Sequence, residues 1–566
     1  MNEVFLNDSD RSRKVYFLLF GLVLIAVYIP GLFIPLMDND SAHHANIALH
    51  MHLTGNYAYL IDSGKHYLDK PHLLFWLAAF SYKVFGVTTF AYKLPSFLFT
   101  ILGTYSTYRL GVLLYNKETG RLAALIVSTA CAYVLANNDV RMDAILTASI
   151  IFATWQLCEY VNFRKTGNLI LAALGLALGF ATKGMIGAVV PAVSIFFYLL
   201  YQRNWNMLFH WKWGLLILFF FVFISPVLYS YYVQFDLHPE IEVRGKTGNS
   251  GVKFILWEQN FERMQGENFT KNTNNDYFFF YHTFLWAFLP WCLLAIFAVV
   301  SRLKAFITAR FRYRPALEFL TLGSLIVFVN LFSVSKFKLP HYLNVLFPLF
   351  AIVLAAYLYE RKDNFKRYRL FWKVQIFVLI VTVLLACLLM FWVFPVAKIW
   401  VGVVSFVLFL LWISPLFIKN LPVPSRLILW TVFGAVFTFF TLNANFYAQL
   451  LTYQAGNELA EVSKKKGLDQ KRIFTFQMRD ISYSFDFYTS YLHDSISLRG
   501  INAAMANKER FWVLTDEAGK EVLEDRKIPF SQVLSHRDFR ITRLKGGFLN
   551  PNTRNEYTSH LYLIRL

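Results

Sequence analysis

Apolar residues in this chain fall into long unbroken runs separated by short polar stretches. Segments such as LILFFFVFISPVLY (216–229) show no polar face at the helical period, so they are not amphipathic helices of a water-soluble core. Most runs measure roughly 18 to 25 residues, the length a helix needs to cross about 30 Å of hydrocarbon. Backbone N–H and C=O groups cannot stay unpaired in lipid, so each run is expected to be a helix. The pattern predicts about thirteen spans: 15–36, 92–114, 121–138, 144–162, 167–182, 185–201, 213–233, 277–300, 317–335, 340–359, 371–394, 398–418 and 427–447. The run 73–87 is short and carries Lys83, so it is expected to be an interfacial helix. The division between the fifth and sixth spans rests on Gly184 and Pro191 alone.

The pattern changes after residue 447. RIFTF (472–476), RFWVLTD (510–516), FRITRL (539–544) and HLYLIRL (560–566) alternate as strands do, and helices are expected near 452–466 and 481–491. The fold expected is therefore a polytopic α-helical membrane protein, residues 1–447, with a small C-terminal α/β domain, residues 448–566. That domain carries no Gly-rich phosphate loop and no nucleophile motif. Its expected work is to cover the membrane site or to contact the acceptor.

Composition agrees with the membrane reading: 57% of 566 residues are hydrophobic, where soluble domains sit nearer 45–50%, and mean hydropathy is +0.43. The net charge of +20 does not point to nucleic acid, because the densest basic clusters lie in short loops between apolar runs. With the N-terminus inside, the basic loops 117–121, 164–165, 302–314, 360–369 and 419–426 all fall inside, as the positive-inside rule requires. The long segments 37–72, 234–276 and 448–566 then lie outside, on the periplasmic face of a bacterial inner membrane. Arg11, Arg13 and Lys14 precede the first run without a small-residue cleavage site, so that run is expected to be a span. The four cysteines all sit in apolar runs and read as small hydrophobes.

With orientation fixed, the ionisable residues outside the basic loops collect at one face: Asp38, Asp40, Asp69, Lys70, Arg141, Asp143, Lys183, Glu262, Arg263, Glu267, Lys336, Lys338 and His341. Any one lysine near a helix end can simply snorkel to the interface. Several carboxylates and cations at one face suit transfer of a sugar from a lipid phosphate. Cations neutralise the leaving phosphate, and a carboxylate near the anomeric carbon takes the acceptor proton. A transporter or flippase for lipid-linked sugars, the alternative, would place charges along a midplane path and show paired repeats.

Four stretches carry a family resemblance: MDNDSAHHANIALHMHLTGNY…YLDKPHLLFW (37–76), VRMDAILT (140–147), LGFATKGMIGAVVP (178–191) and FSVSKFKLPHYLNVLFPLFAI (332–352). Together they resemble the ArnT and protein O-mannosyltransferase superfamily, the GT-C class of integral-membrane glycosyltransferases, and the ArnT branch in particular. The resemblance implies a polyprenyl-phosphate sugar donor, an acceptor that is lipid A, another glycan or a protein hydroxyl, and inversion at the anomeric carbon. It implies Asp40 as the catalytic acid of the first loop with Asp38 as the close alternative, and Asp143 as the second acid with Asp139 as its substitute. Lys70 resembles a donor-phosphate ligand; Lys183, Lys336 and Lys338 resemble positions around the donor pocket, and Tyr342 is a lining residue. Where the ArnT pattern has acid-acid-x-Arg, this chain has Asp40-Ser41-Ala42-His43, so His43 stands in place of the arginine. The remaining substrate-binding candidates are Asp69, Arg141, Arg263, Glu267 and His341. Asp69 resembles a position that can ligate zinc in ArnT, and six histidines crowd the first loop. Their spacing matches no recognised zinc site. The expectation is no required cofactor, with zinc or magnesium as the open option.

Overall fold

The computed structural model describes residues 5, 9–38, 40–259, 262, 275–315 and 317–566. Each of the thirteen expected apolar segments is helical, but not all are long. Among the described residues nine helices are long and apolar enough to cross a membrane, ten if the pair Lys117–Ser128 and Cys131–Asn138, bent by 53°, is one span. The other three expected spans are shorter or interrupted. Ile186–Gln202 has 17 residues and Leu320–Val334 has 15, and the third divides into Phe279–Ala287 and Cys292–Thr308. The break after the fifth expected span is real. Its helix ends at Lys183, Gly184 takes φ +73°, and the next helix starts at Ile186. The two helices then pack so tightly that a Cβ on Gly187 would lie 2.2 Å from the carbonyl carbon of Gly179.

The first outer segment is a packed unit rather than a loop. Helix Asp40–Thr54, the two-residue strands β1 (Ile61–Asp62) and β2 (Lys65–His66), and helix Leu73–Phe85 share a core with Leu36, Tyr92, Val140 and Phe487. The 13 residues of Leu73–Phe85 are too few to cross a bilayer. Beside this unit a fully buried lysine of helix Thr89–Leu114 ties the ends of two other helices together. Lys93 Nζ donates to the carbonyls of Gly31 (3.1 Å), Ile34 (2.7 Å) and Asn138 (2.7 Å). Those carbonyls lie near the C-termini of two helices, where a cation offsets the exposed dipole ends.

The C-terminal part pairs helices with a four-stranded sheet of order β3-β4-β6-β5: Ile473–Thr475, Trp512–Asp516, Ser559–Arg565 and Gln532–Asp538. β3 and β4 are parallel, and the other pairs are antiparallel. Three of the four expected strands and both helices are present. The expected strand at 539–544 is not. Phe539 and Ile541 are buried against Ile34, Phe394 and Phe446 at the end of the membrane helices, so their alternation reflects docking rather than pairing. The strand lies just before them, at the sheet edge, with every second residue exposed.

Candidate functional site

Loop 67–70, the link 139–142, the ends of three helices and the segment 337–342 enclose a cavity of about 250 Å³. Its polar lining is Asp40, Asp69 and Asp143 with Lys70, Arg141 and Lys183, flanked by His43, His44, His341, Tyr67 and Tyr342. Residues separated by up to three hundred positions thus meet in one site.

Local sequence explains each placement. Asp40 and Asp143 open the helices Asp40–Thr54 and Asp143–Phe163. A carboxylate in a helix's first turn meets the positive end of its dipole. Arg141 lies in the link before the second of these helices and bridges two acids, reaching Asp40 at 2.8 Å and Asp139 at 2.6 Å. Burial works against its charge, but Asp139 and Asp40 outweigh that, and the guanidinium is held above its ordinary pKa. Lys183, the last residue of its helix, meets Asp143 at 2.8 Å, with both side chains less than a tenth exposed. Its ammonium also sits 4.7 Å from the Tyr342 ring centroid, and His341 Nε2 lies 3.9 Å from Asp143. Leu68 anchors the Asp69–Lys70 turn in the cluster around Phe180 and Phe235, and Gln234 holds Leu60 through both its backbone groups.

The structure gathers Asp40, His43, Asp69, Lys70, Arg141, Asp143, Lys183, His341 and Tyr342 as the sequence predicts. It does not gather three others. Asp38 faces away, toward the C-terminal part, where its carboxylate accepts from the Ser484 amide and hydroxyl, both at 2.7 Å. It lines a separate cavity of about 350 Å³ with Arg479, Asp480, Asp538 and Arg540. Asp38 precedes the turn into the helix that starts at Asp40, so it is directed elsewhere. Lys338 is buried and donates to the backbone carbonyl of Asp276 at 2.8 Å, so its charge ties two segments together. Lys336 is exposed and is not in the lining. Arg263 and Glu267 lie outside the described residues.

Arg244 was not predicted. It pairs with Asp69 and, at 2.7 Å, with Glu262. Its signal was weak, a lone arginine in a long polar segment, although that segment was expected on the same face as Asp69. Asp139 enters as a partner of Arg141 rather than as a substitute for Asp143. Asp69 is committed to Arg244, which does not fit a zinc ligand, and among the described residues no three His, Cys, Asp or Glu side chains group to hold a metal.

The family model for dolichyl-phosphate-mannose-protein mannosyltransferase matches residues 69–230, the stretch that supplies Asp69, Lys70, Arg141, Asp143 and Lys183. Over nearly the whole length, the chain superposes on the crystal structure of ArnT from Cupriavidus metallidurans bound to undecaprenyl phosphate. The TM-score is 0.72 at 16% identity, with 98% of each chain covered. The chain has the ArnT fold. The apo ArnT structure from the same organism gives a TM-score of 0.69 at 17% identity. Among sequences, the undecaprenyl phosphate-alpha-4-amino-4-deoxy-L-arabinose arabinosyl transferase 2 of Proteus mirabilis is 25% identical over 382 residues. An uncharacterized protein of Aquifex aeolicus is 26% identical over 355 residues. In each case the match spans 64% of that relative's length. The ArnT fold accounts for the outer packed unit and the C-terminal sheet as well as for the membrane helices.

Proposed function

We propose that this chain is a glycosyltransferase that moves a sugar from a polyprenyl-phosphate donor to an acceptor of the cell envelope. The observation that carries the reading is one cavity holding three carboxylates and three cations in a chain with the ArnT fold. In this reading the sugar's anomeric carbon sits between Asp40 and the cations. The bond from that carbon to the donor phosphate oxygen breaks, and the electron pair goes to the phosphate. Lys70 and Lys183 offset the charge that develops there. The acceptor oxygen forms the new bond from the opposite side and inverts the centre.

If the acceptor is a hydroxyl, its proton passes to Asp40. If the acceptor is a phosphate, there is no proton to remove, and Asp40 stabilises positive charge on the sugar ring. Asp40 is already bonded to Arg141, and Asp143 to Lys183 and His341. That network favours a fixed, preorganised site over one that must reorganise during reaction. The relatives named as arabinosyl transferases support a pentose donor; His43 in place of the family arginine leaves the sugar to be measured. The site is proposed to open to the periplasm from the inner membrane, on the charge asymmetry of the loops. The clustering of these charges at one end of the helices gives no support to a transport path through the midplane.

The direct test is purified protein with undecaprenyl-phosphate sugars as donors and extracted lipid A, glycan or peptide as acceptor, followed by mass spectrometry. Sugar-bearing product is expected with one donor–acceptor pair; release of the lipid phosphate without any acceptor product across the panel would overturn the reading. Orientation is tested by single cysteines at residues 40, 139 and 337 in a background lacking the native four. All three should react with an impermeant thiol reagent in intact spheroplasts, and cysteines at 308 and 364 only after lysis.

A further inference from the structure

Tyr483 belongs to the C-terminal part, yet its ring packs against a residue of the charged cavity. Helix Asp40–Thr54 presents Asp40, His43 and Asn46 on one face, since residues three apart are neighbours on a helix. Asp40 and His43 line the cavity of about 250 Å³, and Tyr483 lines the second cavity, of about 350 Å³. The centroids of the His43 and Tyr483 rings are 4.7 Å apart, so the two cavities meet at this pair of rings.

Both rings are held in place. Around Tyr483 the backbone is pinned from two sides: Ser482 and Ser484 donate to Asp38, and the Tyr483 carbonyl accepts from Asn46 at 2.9 Å. His43 Nε2 lies 2.8 Å from a carboxylate oxygen of Asp62. Tyr67 meets the imidazole edge-on at 5.4 Å, and His44 stacks on it at 5.4 Å. Ser63 donates to Asp62 at 3.2 Å and also meets the Tyr483 hydroxyl. Tyr483, Ser63, Asp62 and His43 thus close a ring of contacts, to which the C-terminal part supplies Tyr483. Ordering a side chain this thoroughly costs rotamer freedom, and a functional site uses such order to keep a group in its productive orientation.

We propose that Tyr483 and Asp62 are positioning residues that fix the His43 imidazole beside Asp40, where it hydrogen-bonds a hydroxyl of the donor sugar. With one ring nitrogen taken up by Asp62, one remains for a ligand. A single nitrogen suits a single hydroxyl, whereas the arginine fork of the family pattern would suit a carboxylate or a phosphate. The sugar's place beside Asp40 rests on the proposed transfer reaction. The docked C-terminal part then has a share in the donor site, through one side chain.

The test compares binding of bare undecaprenyl phosphate with binding of undecaprenyl-phosphate pentoses and hexoses to the full chain, by native mass spectrometry. The preferred glycolipid should bind the parent about tenfold more tightly than the bare lipid, the reach of one or two hydrogen bonds. His43→Ala, Tyr483→Ala and Asp62→Ala should each cut that advantage about fivefold, with affinity for the bare lipid unchanged. Tyr483→Phe keeps the ring against His43 and should keep most of the advantage. Arg554 is the control for docking in general, because it joins the C-terminal part to the Val393 carbonyl and the Phe394 ring, away from His43. Arg554→Ala should lower the unfolding temperature and leave the advantage intact. An unchanged advantage in Tyr483→Ala and Asp62→Ala would overturn the inference. So would an equal loss in Arg554→Ala, or a matching fall in affinity for the bare lipid. A sugar preference that depends on Tyr483 while no donor–acceptor pair yields product would sink the transfer reading and uphold this contact.

Discussion

Asp38 and Asp40 are two residues apart and end in opposite kinds of environment. Asp40 belongs to a cavity in which every acid has a cation in reach, through Arg141, Arg244 and Lys183. Asp38 sits where the C-terminal part docks, and the donors bonded to its carboxylate are neutral. Ser484 gives it two hydrogen bonds, Ser482 a longer one, and the carboxylate of Asp538 is close enough to repel it. Burial, resisted only by those hydrogen bonds, raises its pKa from the ordinary 3.8 to about 7. The lesson is that acidic residues in one short motif can serve chemistry and assembly separately. The distinction lies in the partner: a cation on one side, a backbone amide and hydroxyls on the other.

The sharpest way to break the charged side is to remove one half of a buried pair. Lys183→Met should leave the Asp143 carboxylate stranded and cost about 3–5 kcal/mol of stability. The double variant Lys183→Met/Asp143→Asn should recover at least half of that loss without recovering transfer. Thermal unfolding in detergent and turnover, measured together, separate the two effects.

Next comes the comparison itself. Asp40→Asn should lower turnover by about 100-fold or more, the usual reach of a positioned acid–base or charge-stabilising group, with folding close to normal. Asp38→Asn should leave turnover within a few-fold. Equal losses in both variants would collapse the distinction between the two acids. A smaller change is expected at Lys70: Lys70→Ala should raise the donor half-saturation by roughly tenfold to a hundredfold, as loss of a charge-assisted phosphate contact does, and leave that of the acceptor little changed.

The smallest effect is in pH. Folding raises the pKa of Asp38, so the folded chain holds its proton more tightly than the unfolded chain does. That contribution to stability is complete below about pH 4 and is lost as pH climbs through about 7. The unfolding temperature of Asp38→Asn, taken relative to the parent, should therefore rise across pH 4 to 7. A flat difference would mean that Asp38 titrates normally.

Most of the site was legible because its residues lie at helix ends, and helix ends follow from where apolar runs stop. Asp143 and Lys183 close or open runs visible by eye, and Asp69–Lys70 stands in a short polar gap before Pro71. What could not be read was the direction in which each side chain points. Lys336 and Lys338 look alike in SVSKFKLPHY, yet one is exposed and the other ties down Asp276: a regular strand would put two residues at this spacing on one face, but they lie in an irregular link between helices that has no periodicity to orient them. Arg244 was hidden because a polar segment has no periodicity to orient it. In the fold, length was the weak point. Ile186–Gln202 and Leu320–Val334 are apolar enough for spans but short, and FRITRL alternates because a loop docks through Phe539 and Ile541.

Lys93 has a consequence for how such a chain is built. Its three carbonyl acceptors belong to residue 31, to residue 34 and to residue 138, the last more than forty positions downstream. During synthesis the lysine reaches the membrane before its third acceptor exists. The end of the first span can therefore be joined to the bent pair through this lysine only after the helix ending at Asn138 has been inserted, which makes this ammonium a timing mark in assembly. A ribosome-bound chain stalled before residue 138 has emerged should present Lys93 to an amine-reactive reagent, and one stalled well beyond it should protect that lysine.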